Sequence, residues 1–360
     1  LWLNALFLVL TPLAALILTP LYIYHSGVHW AEPVAMVTLW YLTGMGVTAG
    51  YHRMFSHRAW WAPKPVRAIL LVLGGATWQN SAIAWCAAHR YHHRHVDTED
   101  DPYSIQEGFW WAHMLWVMVE GKKHEDFESA PDLRDDDLCK WQHNNYLWIT
   151  LAFNIGVPVA LGLMTGRVWG MLLWAGLIRI VVVHHFTFFI NSLAHMWGSR
   201  PWSKEQSARD NGLLALFTFG EGYHNFHHTF PGDYRNGFRW YQFDPTKWTI
   251  AALSKVGLAQ DLRRTTIDRR LKKRWQTMRE RYEAQMDEWN ESVREQITAA
   301  EERLDEALTE MRSKRSEWAR KAEELQASAR DELERARIEA ERRALEAFRN
   351  WHSLIPAQAR

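Results

Sequence analysis

Cysteine is nearly absent from this 360-residue sequence: Cys86 and Cys139 are its only thiols. Two so widely spaced make no disulfide framework and no iron–sulfur ligand run, and they read as free thiols of a reducing compartment. The G-x-G-x-x-G fingerprint of dinucleotide binding is missing, and so is the H-E-x-x-H pattern of zinc hydrolases. An excess of one charge is lacking too. Lys and Arg number 42 against 41 Asp and Glu, so the net charge is +1 and no nucleic-acid footprint exists. From Gly257 to Pro356 there is neither Gly nor Pro in between.

What the chain does have is apolar length. Residues 5–24 and 33–50 can each cross a bilayer as a helix, and further spans fall at about 145–165 and 168–190. No small-residue cleavage pattern follows the first, which argues against a signal peptide. Orientation follows from basic residues. The connection from 51 to 144 carries ten: Arg53, Arg58, Lys64, Arg67, Arg90, Arg94, Lys122, Lys123, Arg134 and Lys140. The connection at 25–32 has none, so the positive-inside rule puts the long connection and the tail in the cytoplasm. Residues 66–86 are apolar enough for a fifth crossing, but that would separate motifs which must meet. They are expected in the cytoplasmic part or at the interface. Trp110, Trp111 and Trp116 suggest an interfacial helix, with core packing as the alternative.

The chemistry lies in histidine. His89, His92 and His93 have the same H-x-x-H-H spacing as His224, His227 and His228; His52 and His57 are spaced H-x4-H, and His195 stands alone. Positions i, i+3 and i+4 share a helix face, so each triplet is expected to point at one spot. Imidazole suits zinc, copper, iron and nickel. Nine ligands exceed what one ion can take, so two metals are expected. Each second ring nitrogen wants an acceptor, and Asp97, Glu99, Asp100, Asp101, Glu221 and Asp233 are the acids nearby, with a solvated charge run as the alternative for 97–101. Arg179, His184 and His185 fall in the fourth span, where ionisable groups need a partner or a wet cavity. His184 and His185 are left outside the ligand set, with neighbouring or cavity-lining roles open, and His95 is expected to be an ordinary exposed histidine.

Residues 50–57 (GYHRMFSH), 89–93, 191–195 (NSLAH) and 220–228 (GEGYHNFHH) resemble the membrane fatty-acid desaturases, specifically the stearoyl-CoA-type Δ9 acyl desaturases and their bacterial relatives. The resemblance covers roughly residues 1–260. It implies an all-α integral membrane protein of four transmembrane helices, with a cytoplasmic helical cap holding a di-iron centre. The nine histidines would be its ligands, and Asn191 would reach one metal through water. The implied reaction is O2-dependent removal of two hydrogens from a long acyl chain, with the active site on the cytoplasmic face of what is expected to be a bacterial inner membrane. Two electrons would come from a separate protein, ferredoxin-like, flavin/iron–sulfur or cytochrome b5-like. The resemblance also places Gln79, Trp85 and Thr187 at the bend of an acyl tunnel, Asn80 near the carrier headgroup, and Trp40 and Gly44 at the closed end, where Gly44 leaves room for Trp40 to fill in part; a small–large pair packing two membrane helices is the alternative for these two. At Ala87-Ala88 the sequence departs from the Arg-Asp that helps hold CoA in animal enzymes. Acyl-CoA is favoured, with acyl-lipid and acyl-carrier-protein substrates open. A membrane hydroxylase of alkyl or sterol substrates is the alternative enzyme, and a membrane metal or haem carrier the non-enzymatic one.

The resemblance fades near residue 260. From 261 to 360 the chain is charged, and residues such as Ile267, Met278, Trp289 and Ala300 recur at intervals of eleven, a period that suits a nearly straight helix. From Met311 the interval tightens to seven through Trp318 and Leu325. One long helix or a helical hairpin is expected, with self-association, docking on the first domain and partner binding all open.

Overall fold

A backbone in hydrocarbon must satisfy its own N–H and C=O groups, so long apolar runs wind into helices. The computed structural model describes residues 1–119, 127–321 and 327–355. Among these, helices form throughout and the only β pairing is three isolated bridges. Lys122, Lys123 and Leu325 lie outside the described residues. The chain divides into two compact units, residues 1–200 with 206–264, and residues 201–205 with 265–360.

In the first unit, α1 is Trp2–Ser26, and α2 (Ala31–Met45) runs directly into a π-wound stretch, Gly46–Ser56. Then come α3 (Lys64–Gly75), α4 (Ala82–His95), α5 (Tyr146–Thr165) and α6 (Val168–Met196). Of these, α1, α5 and α6 are long and apolar enough to cross a membrane. α1 holds Pro12 and Pro20, which membrane helices tolerate. The fourth expected span, 33–50, is helical as α2 and its continuation, but it is not among the three helices that meet both length and hydropathy.

Residues 66–86 do not form one helix. α3 is 12 residues long, short of the roughly 20 a crossing needs. The chain then turns through Trp78 (φ 57°) and Asn80 (φ 82°), left-handed backbone at two residues with side chains. Ser81 caps α4, its hydroxyl accepting from Ala84 N–H. α3 meets the π-wound stretch backbone to backbone: a Cβ on Gly46 would lie 2.3 Å from Gly74 N. The buried core here includes Tyr51, Phe55, Trp60, Leu71, Ile83 and both cysteines. Burial pushes the Cys86 thiol up to about 12, so it stays protonated. The Trp-rich segment is helical, with Trp110 exposed and Ala112 and His113 buried.

Four further helices matter to the site and the tail: α7 (Gly212–Phe217), α8 (His224–Thr229), α9 (Pro245–Lys255), and in the second unit α10 (Ile267–Tyr282). α11 (Glu291–Lys321) and α12 (Ala327–Leu354) complete that unit. Leu271, Met278, Tyr282, Ile297, Leu304, Leu308 and Met311 are buried in one cluster with Ala340, Ala344 and Trp351 of α12. The apolar stripe is therefore covered within the unit. Buried Asp268 takes Arg312 at 3.3 Å and Arg315 at 2.5 Å.

Candidate metal centre

The H-x4-H pair works because its backbone is not α-helical. In an α-helix of 3.6 residues per turn, positions five apart point in different directions. Here the turn is widened, and His57 N–H reaches back five residues to His52 C=O at 3.1 Å. The two rings end 4.9 Å apart, centroid to centroid. α4 supplies His89, His92 and His93, and α8 supplies His224, His227 and His228. His195 sits in the last turn of α6, just past a break at Ser192 (φ −97°, ψ −71°).

The nine histidines come together, but each triplet does not aim at one spot. Nitrogens of His52, His57, His89, His93 and His227 form one group, and those of His92, His195 and His228 a second. His224 joins the second through Nε2 contacts of 3.1 Å to His195 and 3.0 Å to His228. Consecutive residues on a helix are about 100° apart, which 3.6 per turn dictates. His92 and His93 are accordingly splayed, with rings 5.6 Å apart and 79° between planes, and His227 and His228 likewise at 5.5 Å and 83°. Each triplet thus serves both groups.

Within the groups the Nε2 atoms crowd: His52–His227 3.0 Å, His93–His227 3.0 Å, His57–His89 2.8 Å. An imidazole nitrogen offers either one proton or one lone pair. His227 Nε2 and His224 Nε2 each face two such neighbours and cannot form an aligned hydrogen bond to both. A cation satisfies all the lone pairs at once: nitrogens about 2.1 Å from one ion and at right angles to each other lie about 3.0 Å apart. The donor set therefore fits a metal centre.

The opposite ring nitrogens support this. His92 Nδ1 lies 2.8 Å from Asp101 Oδ1, and His52 Nδ1 lies 2.8 Å from Glu221 Oε2. His195 Nδ1 is 2.7 Å from Ser207 Oγ, whose own proton goes to Asp97 at 2.5 Å. The hydroxyl must then accept from His195, which leaves Nε2 of that ring bare. Burial raises the Asp101 and Glu221 carboxyls, but His92 and backbone N–H groups for the first, and Arg53 and His52 for the second, outweigh it and hold both low. Burial, then neighbouring histidines, pushes His57, His89, His93, His224, His227 and His228 well below the usual imidazole range. They stay neutral, as ligation requires. Ser207 had no spacing signal that could reveal it. Its replacement by Ala is expected to weaken metal affinity roughly 10–100-fold, the usual effect of losing a ligand's outer partner. Metal titration checks this, and Ser207→Thr, which keeps the hydroxyl, should retain most of the affinity.

The other candidates divide. Glu99 and Asp100 are exposed, and Asp233 pairs with Arg235 at 2.9 Å. His95 is partly buried and leans on Tyr91. His184 Nε2 takes the Thr77 carbonyl at 2.8 Å, while His185 Nδ1 meets His113 Nε2 at 3.1 Å. Arg179 is fully buried and reaches Ala175 O, Thr43 Oγ1 and Asn154 Oδ1. A cavity of about 970 Å³ is lined by His52, His89, His92 and His224, and also by Trp40, Gly44, Gln79, Asn80, Trp85, Thr187 and Asn191. Gln79 Nε2 donates to Thr187 Oγ1 at 3.0 Å, and Trp85 stacks on His89 at 4.9 Å.

Comparison with known proteins gives a consistent result. The sequence model of the fatty acid desaturase family matches residues 28–261. A probable acyl-CoA desaturase of Schizosaccharomyces pombe is 44% identical over 223 residues, 61% of this chain and 46% of its own length. An sn-2 palmitoyl-lipid 9-desaturase of Nostoc is 34% identical over 237 residues, 64% of this chain and 81% of that protein. Stearoyl-CoA desaturase 5 of Bos taurus is 35% identical over 250 residues, 66% and 73% of the two chains. The chain spans less than half the length of the Schizosaccharomyces pombe protein and of acyl-CoA desaturase 1 of Saccharomyces cerevisiae.

Proposed function

Because this chain belongs to the fatty acid desaturase family, we propose that it desaturates a long-chain acyl group, acyl-CoA at the Δ9 position, with O2. One observation carries the reading: histidines of both groups border a single largely apolar cavity with room for a long chain. The volume is at the upper end of the roughly 300–1,000 Å³ of ordinary ligand sites. Two iron ions held by His52, His57, His89, His93 and His227 on one side, and by His92, His195, His224 and His228 on the other, would supply the oxidising chemistry when bound. Asn191, on the cavity wall, would act on the second side through water. The rest is the work of the chain itself. Asp101, Glu221 and the Asp97–Ser207 pair fix ring orientation. The aromatic cavity wall excludes water, and Gln79 with Thr187 and Trp85 presents one part of the acyl chain to the histidines.

Three apolar helices and the family make this a membrane protein. We place residues 33–50 as the fourth crossing, residues 1–260 as the membrane domain, and the site and tail in the cytoplasm of a bacterial inner membrane. Electrons would come from a ferredoxin-like, flavin/iron–sulfur or cytochrome b5-like donor. Gas chromatography of fatty acids from an expressing host, with and without O2, tests the reading. Unsaturated products that appear only with O2 are expected, and hydroxylated products or none would overturn it. A chain ending at Arg264 should keep its metals and its activity per folded molecule, since every histidine of the site precedes that point. A stable, metal-loaded truncation without activity would show instead that the tail completes the site or recruits the electron donor.

A further inference from the structure

Gly44 is not an empty place beside the cavity. A Cβ there would lie 2.2 Å from Phe219 Cε2 and within 2.9 Å of two more ring atoms, so the Phe219 ring already occupies that space. The same ring packs on Trp40, centroids 5.0 Å apart, and meets Tyr41 edge-on at 5.7 Å. Trp40 continues to Phe186 at 5.8 Å, and Phe186 stacks on Phe217 at 5.0 Å. Trp40, Gly44, Phe186, Phe217 and Phe219 all line the cavity. They form a continuous aromatic wall, with Phe219 buried and wedged against the helix backbone at Gly44.

The backbone holds the ring there under strain. Phe219 has φ 55°, a left-handed conformation that a bulky aromatic residue rarely adopts. Such a residue persists only where its surroundings over-determine it. Here Thr246 Oγ1 donates to the Phe219 carbonyl at 2.8 Å, and Thr48 Oγ1 donates to the Gly44 carbonyl at 3.0 Å. The two threonine oxygens stand 2.9 Å apart, so while Thr246 holds the Phe219 carbonyl, the Thr48 proton can turn from the Gly44 carbonyl to Thr246 Oγ1 and link the wedge to its seat. Two residues beyond Phe219 is Glu221, against His52, and five beyond is His224. The wall is thus set at a fixed distance from the histidine groups.

We propose that Phe219 is a specificity-determining residue that limits acyl chain length, with Gly44 as its seat. This rests on the desaturase reading. A stop made of Trp40 and Gly44 alone would make Gly44→Leu a simple shortening of the pocket. With Phe219 in place, any side chain at 44 acts by driving the ring out.

The test feeds an expressing host a series of saturated chains shorter and longer than the substrate that wild type prefers. It compares wild type, Phe219→Ala, Phe219→Leu, Gly44→Ala and the double Gly44→Ala/Phe219→Ala. One methylene in an apolar pocket is worth roughly 10–200-fold in selectivity. Phe219→Ala should therefore raise the ratio of longer to shorter products about tenfold or more, with Phe219→Leu in the same direction and smaller. Gly44→Ala should shift it toward shorter chains, and the double variant should lose that shift, a non-additivity expected of residues in contact. The double-bond position should not move, because Gln79, Trp85 and Thr187 are untouched. Thermal stabilisation by the matching series of saturated acyl-CoAs reads the same ranking in a variant that binds without turnover. If both Phe219 variants keep the wild-type ranking, the proposal is overturned while the desaturase reading stands. If wild type itself makes no unsaturated product, both fall.

Discussion

Replacing any one of His52, His57, His89, His92, His93, His195, His224, His227 or His228 by Ala is expected to abolish desaturation nearly completely. The same substitution should lower the metal content of the purified chain. The reason is crowding: in eight of the nine, Nε2 lies 2.8 to 3.1 Å from a neighbour's, and His92 groups with His195 and His228 within 4.8 Å. Removing one opens the donor set to water and frees the ring beside it to turn. Because α4 and α8 each serve both groups, a loss in one group is felt in the other. Metal analysis and product analysis on the nine variants are the check. Full activity with full metal in any two of them would show that the groups do not act as one centre.

A change at Arg53 should destabilise the first unit rather than only slow the reaction. Arg53 is 1% exposed, and its guanidinium donates to Glu221 at 2.8 and 3.1 Å, to Asp244 at 3.1 Å and to the Tyr234 carbonyl at 2.8 Å. Its charge is held on against burial by Asp244 and Glu221. Arg53→Met takes the guanidinium from two buried carboxylates that keep their other donors, so the loss should fall at the low end of the about 3–5 kcal/mol that breaking a buried pair costs. That is a large part of the about 5–15 kcal/mol by which folded proteins are stable. Arg53→Lys should rescue little, since one ammonium cannot reproduce the planar fork. The unfolding midpoint in detergent decides, and a midpoint equal to wild type in Arg53→Met would sink the argument.

Much of this site was legible in the sequence because spacing survives folding. The nine histidines, Asp101 and Glu221 stand in short motifs, and the two triplets keep their helical periodicity in the structure. That residues 66–86 should not cross was also foreseeable, since a crossing would have separated His52 from His89, but the break after α3 was not. What periodicity could not reveal was winding and reach. The i, i+3, i+4 rule treats a triplet as one face, and at ligand scale the 100° between neighbours divides it. Ser207 lies 110 residues from Asp97, and Phe219 lies 175 from Gly44, so no local pattern links either pair. The tail was legible as a stripe but not as what covers it, because α12 supplies Ala340, Ala344 and Trp351 from far along the chain.

The π-wound stretch from Gly46 to Ser56 places a constraint of an unusual kind on this protein. A π turn is an α-helix with one residue too many, so the segment behaves as an insertion that has been kept. Because the wide winding is held by packing, as α3 holds it at Gly46, deleting a residue between His52 and His57 would bring a different side chain to the place His57 now holds. Adding one would push that ring past its partners. Substitutions at Met54 or Phe55 alter packing but leave the count intact. Here the number of residues is held more tightly than their identity, and drift in this stretch should run through exchanges of letters and hardly ever through gaps.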